Sequence, residues 1–202
     1  MSRTPGDLTP TPAQTVGPFF GYALPYDDGE ALVPRSHPDA VRLHGTVYDG
    51  DGVPVPDALV EIWQADVTGR IPTEPGSLHR DGYTFTGWGR TPVDATGHYS
   101  FTTVEPGASG GARSRVSAPY VLVTIFARGL MDRLFTRAYL PAPAEVLSAD
   151  PLLSTVEEHR RGTLLAVRDD DGGLRFDIHL QGDRETVFLT YPNTPQLTGP
   201  VD

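Results

Sequence analysis

Cysteine is absent from this chain, and so is lysine. Without a thiol there can be no disulfide, no thiolate metal site and no cysteine nucleophile. Without lysine, all 16 basic side chains are arginines, so each positive charge is a planar fork suited to carboxylates. Positive charge is also scarce: 26 acidic residues leave a formal net charge of −10, which argues against a nucleic-acid or anionic-membrane surface. No apolar run approaches the ~20 residues needed to span a bilayer. The first residues lack the basic-then-apolar pattern of an export signal. A soluble cytoplasmic protein is the expectation. Helical periodicity is nearly missing as well. Only Pro151 to Arg161 carries it, with Leu152, Leu153, Val156 and His159 near helical spacing and Glu157, Glu158, Arg160 and Arg161 left for solvent.

Glycine and proline are plentiful, with 22 and 20 in 202 residues, as in chains of many short strands joined by turns. The length suits one domain with arms. The organising stretch is Val41 to Asp66. Val41, Leu43 and Val47 alternate with Arg42, His44, Thr46 and Tyr48, the period-two mark of a half-buried strand. Asp49-Gly50-Asp51-Gly52 with Pro54 and Pro56 forms an extended link. A second strand follows, with Ala58, Val60 and Ile62 on one face and Leu59, Glu61 and Trp63 on the other. The two read as an antiparallel unit that must bury its apolar face against another sheet.

Further strands read over His98 to Val104, Tyr120 to Phe126, Leu134 to Leu140, Leu164 to Val167, Leu174 to Leu180 and Thr186 to Leu189. The nearly all-apolar Tyr120 stretch suits a central strand, and Asp169 to Gly173 suits a hairpin turn. The stretch from Asp66 to Thr96 reads as irregular, and a loop of that length is more often functional than idle. About eight strands against one helix indicate a mainly β chain, an antiparallel β-sandwich with long loops and one short helix. The expected division is an arm and loop over residues 1–40, the sandwich over 41–190 and a tail over 191–202.

Chemistry is harder to find. The six histidines, His37, His44, His79, His98, His159 and His179, show no metal-ligand spacing, and each reads as a surface or hydrogen-bonded side chain. Asp49, Asp51 and Asp57 fit a turn better than a calcium loop. No nucleophile–base arrangement is visible. Phe19 and Phe20, on an arm containing Gly17-Pro18, must be clamped onto something, either the chain's own core or a neighbour.

Six segments nevertheless resemble one family: TPAQTVGPFF, LHGTVYDGDGVPVPDALVEIWQAD, GWGRTPVDATGHYSF, VEPG, FARGLMDRLFTRAYL and RFDIHLQGDRETVF. In order, from about Thr11 to Leu189, they are similar to the intradiol ring-cleaving dioxygenases. That resemblance implies a β-sandwich of the transthyretin-like kind. It also implies a non-haem Fe(III), held in catalytic chains by two tyrosines and two histidines. Here the first tyrosine position falls at Ile71, after Gly69-Arg70. The loop Glu105 to Pro119 offers no tyrosine for the second, and the two histidine positions fall at Tyr120 and Leu122. An arginine that precedes the histidine pair in catalytic chains falls at Ser117. Leucine and isoleucine cannot coordinate iron, and a lone phenol would not retain it.

The resemblance therefore implies a non-catalytic alpha-type chain that binds no metal itself. Its partner would be a catalytic beta chain carrying the Tyr, Tyr, His, His ligands and the Fe(III), in a higher-order α/β assembly. Thr15, Gly17, Pro18 and Arg128 are the residues it would lend to the partner's substrate pocket. The implied reaction is cleavage of 3,4-dihydroxybenzoate by O2 to 3-carboxy-cis,cis-muconate. Arg128 is expected on the same strand face as Tyr120, ~26 Å further along. Two alternatives stay open: a stand-alone small-ligand module of the same fold, and a partner that only stabilises.

Overall fold

The computed structural model describes residues 14–74, 81–110 and 116–190. The leader read over residues 1–10, His79, the middle of the connection read over residues 107–117, and the tail over 191–202 lie outside them. Among the described residues, nine strands run in chain order: β1 (Val41–Tyr48), β2 (Leu59–Gln64), β3 (Trp88–Pro92), β4 (His98–Thr103), β5 (Tyr120–Phe126), β6 (Leu134–Tyr139), β7 (Val167–Arg168), β8 (Leu174–Arg175) and β9 (Ile178–His179). Among the described residues, three short α-helices, α1 (Phe20–Ala23), α2 (Ala144–Ala149) and α3 (Glu158–Arg161), sit outside the sheets.

The strands form two sheets, one ordered β4-β1-β8-β7 with β9 also on β1, the other β3-β2-β5-β6. Pairing is antiparallel except where β1 meets β8 and β9 in parallel. The inner faces supply one core in which Leu43, Val47, Val60, Ile62, Phe101, Val123, Ile125 and Phe176 are all buried, so the molecule is a β-sandwich of two packed sheets. Gln64 ties the sheets together, its Nε2 donating to the Val104 carbonyl at 2.7 Å and its Oε1 accepting from Thr103 Oγ1 at 2.8 Å.

The antiparallel unit expected of β1 and β2 is not formed, since neither strand pairs with the other. These two strands belong to different sheets, so the Asp49–Pro56 link carries the chain across the sandwich. The Asp49 carboxylate accepts from the amides of Asp51 and Val53 at 3.0 and 2.8 Å, and Gly52 takes a φ of 77°. This is a side-chain-closed turn, as the sequence suggests. Asp169–Gly173 likewise closes the β7–β8 hairpin.

Three further expectations give way. The stretch read as irregular between Asp66 and Thr96 contains β3, held on β2 from Leu59↔Pro92 to Trp63↔Trp88; pairing to a central strand overrides its Gly and Pro content. The expected helix over Pro151–Arg161 is broken, with Leu153–Thr155 forming a 3-10 turn, Val156 extended at ψ 137°, and α3 starting afresh. The buried Asp150 carboxylate draws the amides of Leu152 and Leu153 to itself at 2.8 and 2.9 Å, and burial of Leu153 and Leu164 fixes both ends. Finally, Thr186 to Leu189 lies beside the sheet without joining its ladder, through single bonds such as Leu189 N to Phe135 O at 2.7 Å.

Candidate functional site

The outer face of the β3-β2-β5-β6 sheet carries the residues singled out by the resemblance. Cross-strand register sets them in rows. Trp88, Trp63, Leu122 and Arg137 form one, and Arg90, Glu61, Thr124 and Phe135 the next. Tyr120 stands across from Tyr139, two residues from Leu122 on the same face. A groove of about 450 Å³ opens here between Trp63, Pro72, Glu74, Trp88, Leu122 and Thr124. Ile71, adjacent to Pro72, is 38% exposed.

The cation in this region was not anticipated. Arg137 lays its guanidinium over the Tyr120 ring, 3.9 Å from the centroid, the geometry of a cation–π contact. Its Nη1 donates to Tyr139 Oη at 3.1 Å, and that hydroxyl donates to Asp150 Oδ1 at 2.9 Å. Arg137 Nε is the one buried side-chain polar atom among the described residues without a hydrogen-bond partner. Burial pulls the Arg137 pKa down, but its hydrogen bond to the Tyr139 hydroxyl and the nearby Tyr120 and Asp150 more than offset it, so the group stays charged. Burial also pushes the Tyr139 phenol well up. The sequence signal was a lone arginine inside the apolar strand LFTRAYL.

These residues do not fit a bound iron ion. Two of the positions, Ile71 and Leu122, have no donor atom. The single phenol, on Tyr120, is covered by a fixed positive charge, which opposes a second cation at the same place. Among the described residues, no group of three or more His, Asp or Glu side chains converges.

The residues proposed to serve a partner gather at the far end of β5. Thr15 and Pro18 are exposed, with Val16 and Gly17 half-buried between them. Val16 N donates to Leu130 O at 2.8 Å, and Phe20 packs on Phe126 at 6.1 Å between ring centroids. Gly17 holds φ at 71°, a backbone conformation that costs other residues. Phe20 and Leu59, which faces Phe126 across the ladder, are therefore buried on the sheet's outer surface. The arm is clamped on its own core through Phe20, while Phe19 at 77% and Tyr22 at 87% remain exposed.

Arg128 lies in the turn that receives this arm, two residues before Leu130. β5 ends at Phe126, so the expected continuation of a regular strand face to Arg128 is not found. Its Nε meets Asp57 Oδ2 at 2.9 Å, and its side chain is 66% exposed. Thr15, Gly17, Pro18 and Arg128 thus belong to one end of the sandwich, and Tyr120 and Leu122 to the other.

Sequence spacing also hid a histidine pair. Pairing of β1 with β4 brings His44 Nδ1 to 3.3 Å from His98 Nε2, with His44 Nε2 at 2.7 Å from Asp169 Oδ2. Arg42 Nη2 approaches the same His98 nitrogen at 3.3 Å. A guanidinium in that position makes this a hydrogen-bonded chain rather than a metal centre. Burial, then the adjacent His44 and Arg42, holds His98 below its ordinary pKa.

Comparison with known proteins agrees with the geometry. A family model described as Dioxygenase matches residues 15–182. The protocatechuate 3,4-dioxygenase alpha chain of Burkholderia cepacia is 39% identical over 198 residues, covering 90% of this chain and 98% of that one. The beta chain of the same organism's enzyme is 30% identical over 190 residues, covering 84% and 75%. Among solved structures, the dioxygenase domain of a dioxygenase–carbohydrate-binding fusion from Streptomyces sp. SirexAA-E superposes with a TM-score of 0.56 at 26% identity, covering 86% of this chain and 99% of that one. With a matching sandwich, a family match over most of its length and an alpha chain as a full-length relative, this chain belongs to the intradiol ring-cleaving dioxygenase family.

Proposed function

We propose that this chain is the non-catalytic alpha subunit of a protocatechuate 3,4-dioxygenase. In this reading it binds no iron and lends part of the substrate pocket to a beta subunit. That beta subunit carries Fe(III) on two tyrosines and two histidines. The pair cleaves 3,4-dihydroxybenzoate with O2, both oxygen atoms entering 3-carboxy-cis,cis-muconate. The family is one of iron-dependent dioxygenases, and related alpha and beta chains imply a hetero-assembly.

The observation that carries the reading is the Arg137 guanidinium on the Tyr120 ring, beside Leu122. A strand that in catalytic chains aims two imidazoles at a metal here aims a phenol and an isobutyl group at an arginine. The exposed Phe19 and Tyr22 beside Thr15 to Pro18 support a surface that a partner covers. Arg128 in the adjacent turn supplies a charge suited to the substrate carboxylate.

The test is co-expression with the beta chain, followed by separation of the two polypeptides and metal analysis of each. Iron and the visible tyrosinate charge-transfer band are expected with the beta chain only, and turnover with the pair. Stoichiometric iron in this chain alone would overturn the proposal. Efficient turnover by a beta chain that has never met this one would reduce it to a stabilising partner.

A further inference from the structure

The segment that carries Thr15, Gly17 and Pro18 is fastened to the sheet at a second place, away from Phe20. Arg90 and Glu61 face each other across β3 and β2. Arg90 Nε and Nη2 both donate to Glu61 Oε1, at 2.8 and 2.6 Å. Both side chains are largely buried, at 14% and 16% exposure. The remaining arm of the fork, Nη1, donates to the Leu24 carbonyl at 2.8 Å. Leu24 is the residue that ends α1, and its own amide bonds back to Phe20 O at 3.1 Å.

The neighbouring contacts extend the fastening. The Arg90 guanidinium lies over the Trp88 ring at 4.8 Å. Tyr26 stacks on Trp88 with centroids 5.9 Å apart and planes 1° from parallel. Arg90 N donates to Gly29 O at 2.9 Å. Gly29 is held so close that a Cβ there would lie 2.5 Å from Arg90 O. One arginine thus links the sheet carboxylate, the sheet tryptophan and the end of α1.

We infer that Arg90 is a positioning residue: its guanidinium, oriented by Glu61, fixes the end of α1 and so sets where Thr15 to Pro18 project from the sandwich. The inference rests on the proposed role of those residues in a partner's pocket. Its physical core is separate from that role. A buried fork already committed to a carboxylate loses little further rotamer freedom when it takes a backbone carbonyl. An unheld four-residue helix is marginal in water, so α1 depends on such anchors.

The experiment uses the assembled α/β enzyme. Arg90→Lys keeps a cation beside Glu61, but a single ammonium lacks the planar fork that spans Glu61 and Leu24. Tyr26→Leu removes the stack on Trp88 and leaves the Arg90–Glu61 pair in place, so it covers the case in which Arg90→Lys folds poorly. Amide hydrogen exchange at Val16 and Leu24 is expected to speed up about 10-fold or more in each variant, the effect of losing one charge-assisted or aromatic anchor. Exchange in β2 and β5, iron content and subunit stoichiometry should not change. With the arm loosened, KM for 3,4-dihydroxybenzoate is expected to rise more than kcat falls. Unchanged exchange at Val16 and Leu24 in both variants would overturn the inference. Faster exchange with unchanged kinetics would uphold Arg90 as the arm's anchor and refute the arm's part in the pocket.

Discussion

Arg128→Ala in the assembled enzyme probes the pocket-lining reading most directly. The structure sets the size of the effect in two steps. The ion pair with Asp57 is 2.9 Å long but 66% and 36% exposed, so removing it should cost about 0–1 kcal/mol of stability. That corresponds to a loss of at most ~2–4 °C in Tm for a chain of this size. A guanidinium on a desolvated carboxylate would contribute ~1.5–3 kcal/mol. At this degree of exposure about 1 kcal/mol is the working value, a roughly fivefold rise in KM. Steady-state oxygen uptake with 3,4-dihydroxybenzoate and with catechol separates the charge from the packing. The carboxylated substrate should show the fivefold change, and catechol less than twofold. Asp57→Asn, which withdraws the competing carboxylate, should move KM for 3,4-dihydroxybenzoate downward. Equal losses for both substrates would refute the carboxylate contact. No loss for either would leave Arg128 as a surface partner of Asp57.

Two further predictions concern the scaffold. Asp150 is fully buried and accepts from Tyr139 Oη and from the amides of Ala118, Leu152 and Leu153. Asp150→Ala strands several donors at ~1–3 kcal/mol each, so a loss of about 4 kcal/mol and ~8–16 °C in Tm is expected by calorimetry; a change under ~2 °C would contradict the network. His98 and His179 are both held below their ordinary pKa, each first by burial, then His98 by the adjacent His44 and Arg42 and His179 by Arg184. Their neutral forms are favoured in the fold, so the stability they contribute is fully present above the unfolded histidine value near ~6.5 and is lost as pH falls below it. Melting temperatures should decline from pH 7.5 to 5.5, and the double variant His98→Gln, His179→Gln should flatten that slope.

The sheets were legible where local pattern and tertiary role coincide. β1, β4 and β5 alternate or run apolar as their burial demands, and each was located to within about a residue. β3 was not, because Gly89 and Pro92 weaken a pattern that only the ladder to β2 completes. The broken helix after Pro151 turned on a single buried carboxylate, Asp150, whose partners come from 32 residues upstream as well as next door. At the site, the resemblance singles out Ile71, Tyr120 and Leu122. It does not single out Arg137 and Arg90. Their significance lies in what stands across the ladder, Leu122 and Glu61, and one-dimensional spacing does not report register. Arg128 was expected on the strand face of Tyr120, but β5 ends at Phe126 and Arg128 lies in the turn that follows.

The position of β5 in the fold has a consequence for how such a chain can change over generations. Tyr120 opens the strand and Phe126 closes it, six steps or about 20 Å at ~3.3 Å per residue. Substitutions that far apart, with no partner in common, add independently. On the proposed reading, loss of donor atoms at the Tyr120 end would therefore leave the Phe126 end, where the arm and Arg128 are seated, as stable as before. With the arm and Arg128 serving a partner as proposed, a duplicated catalytic gene drifting through such substitutions would keep that end under selection while the other changed residue by residue.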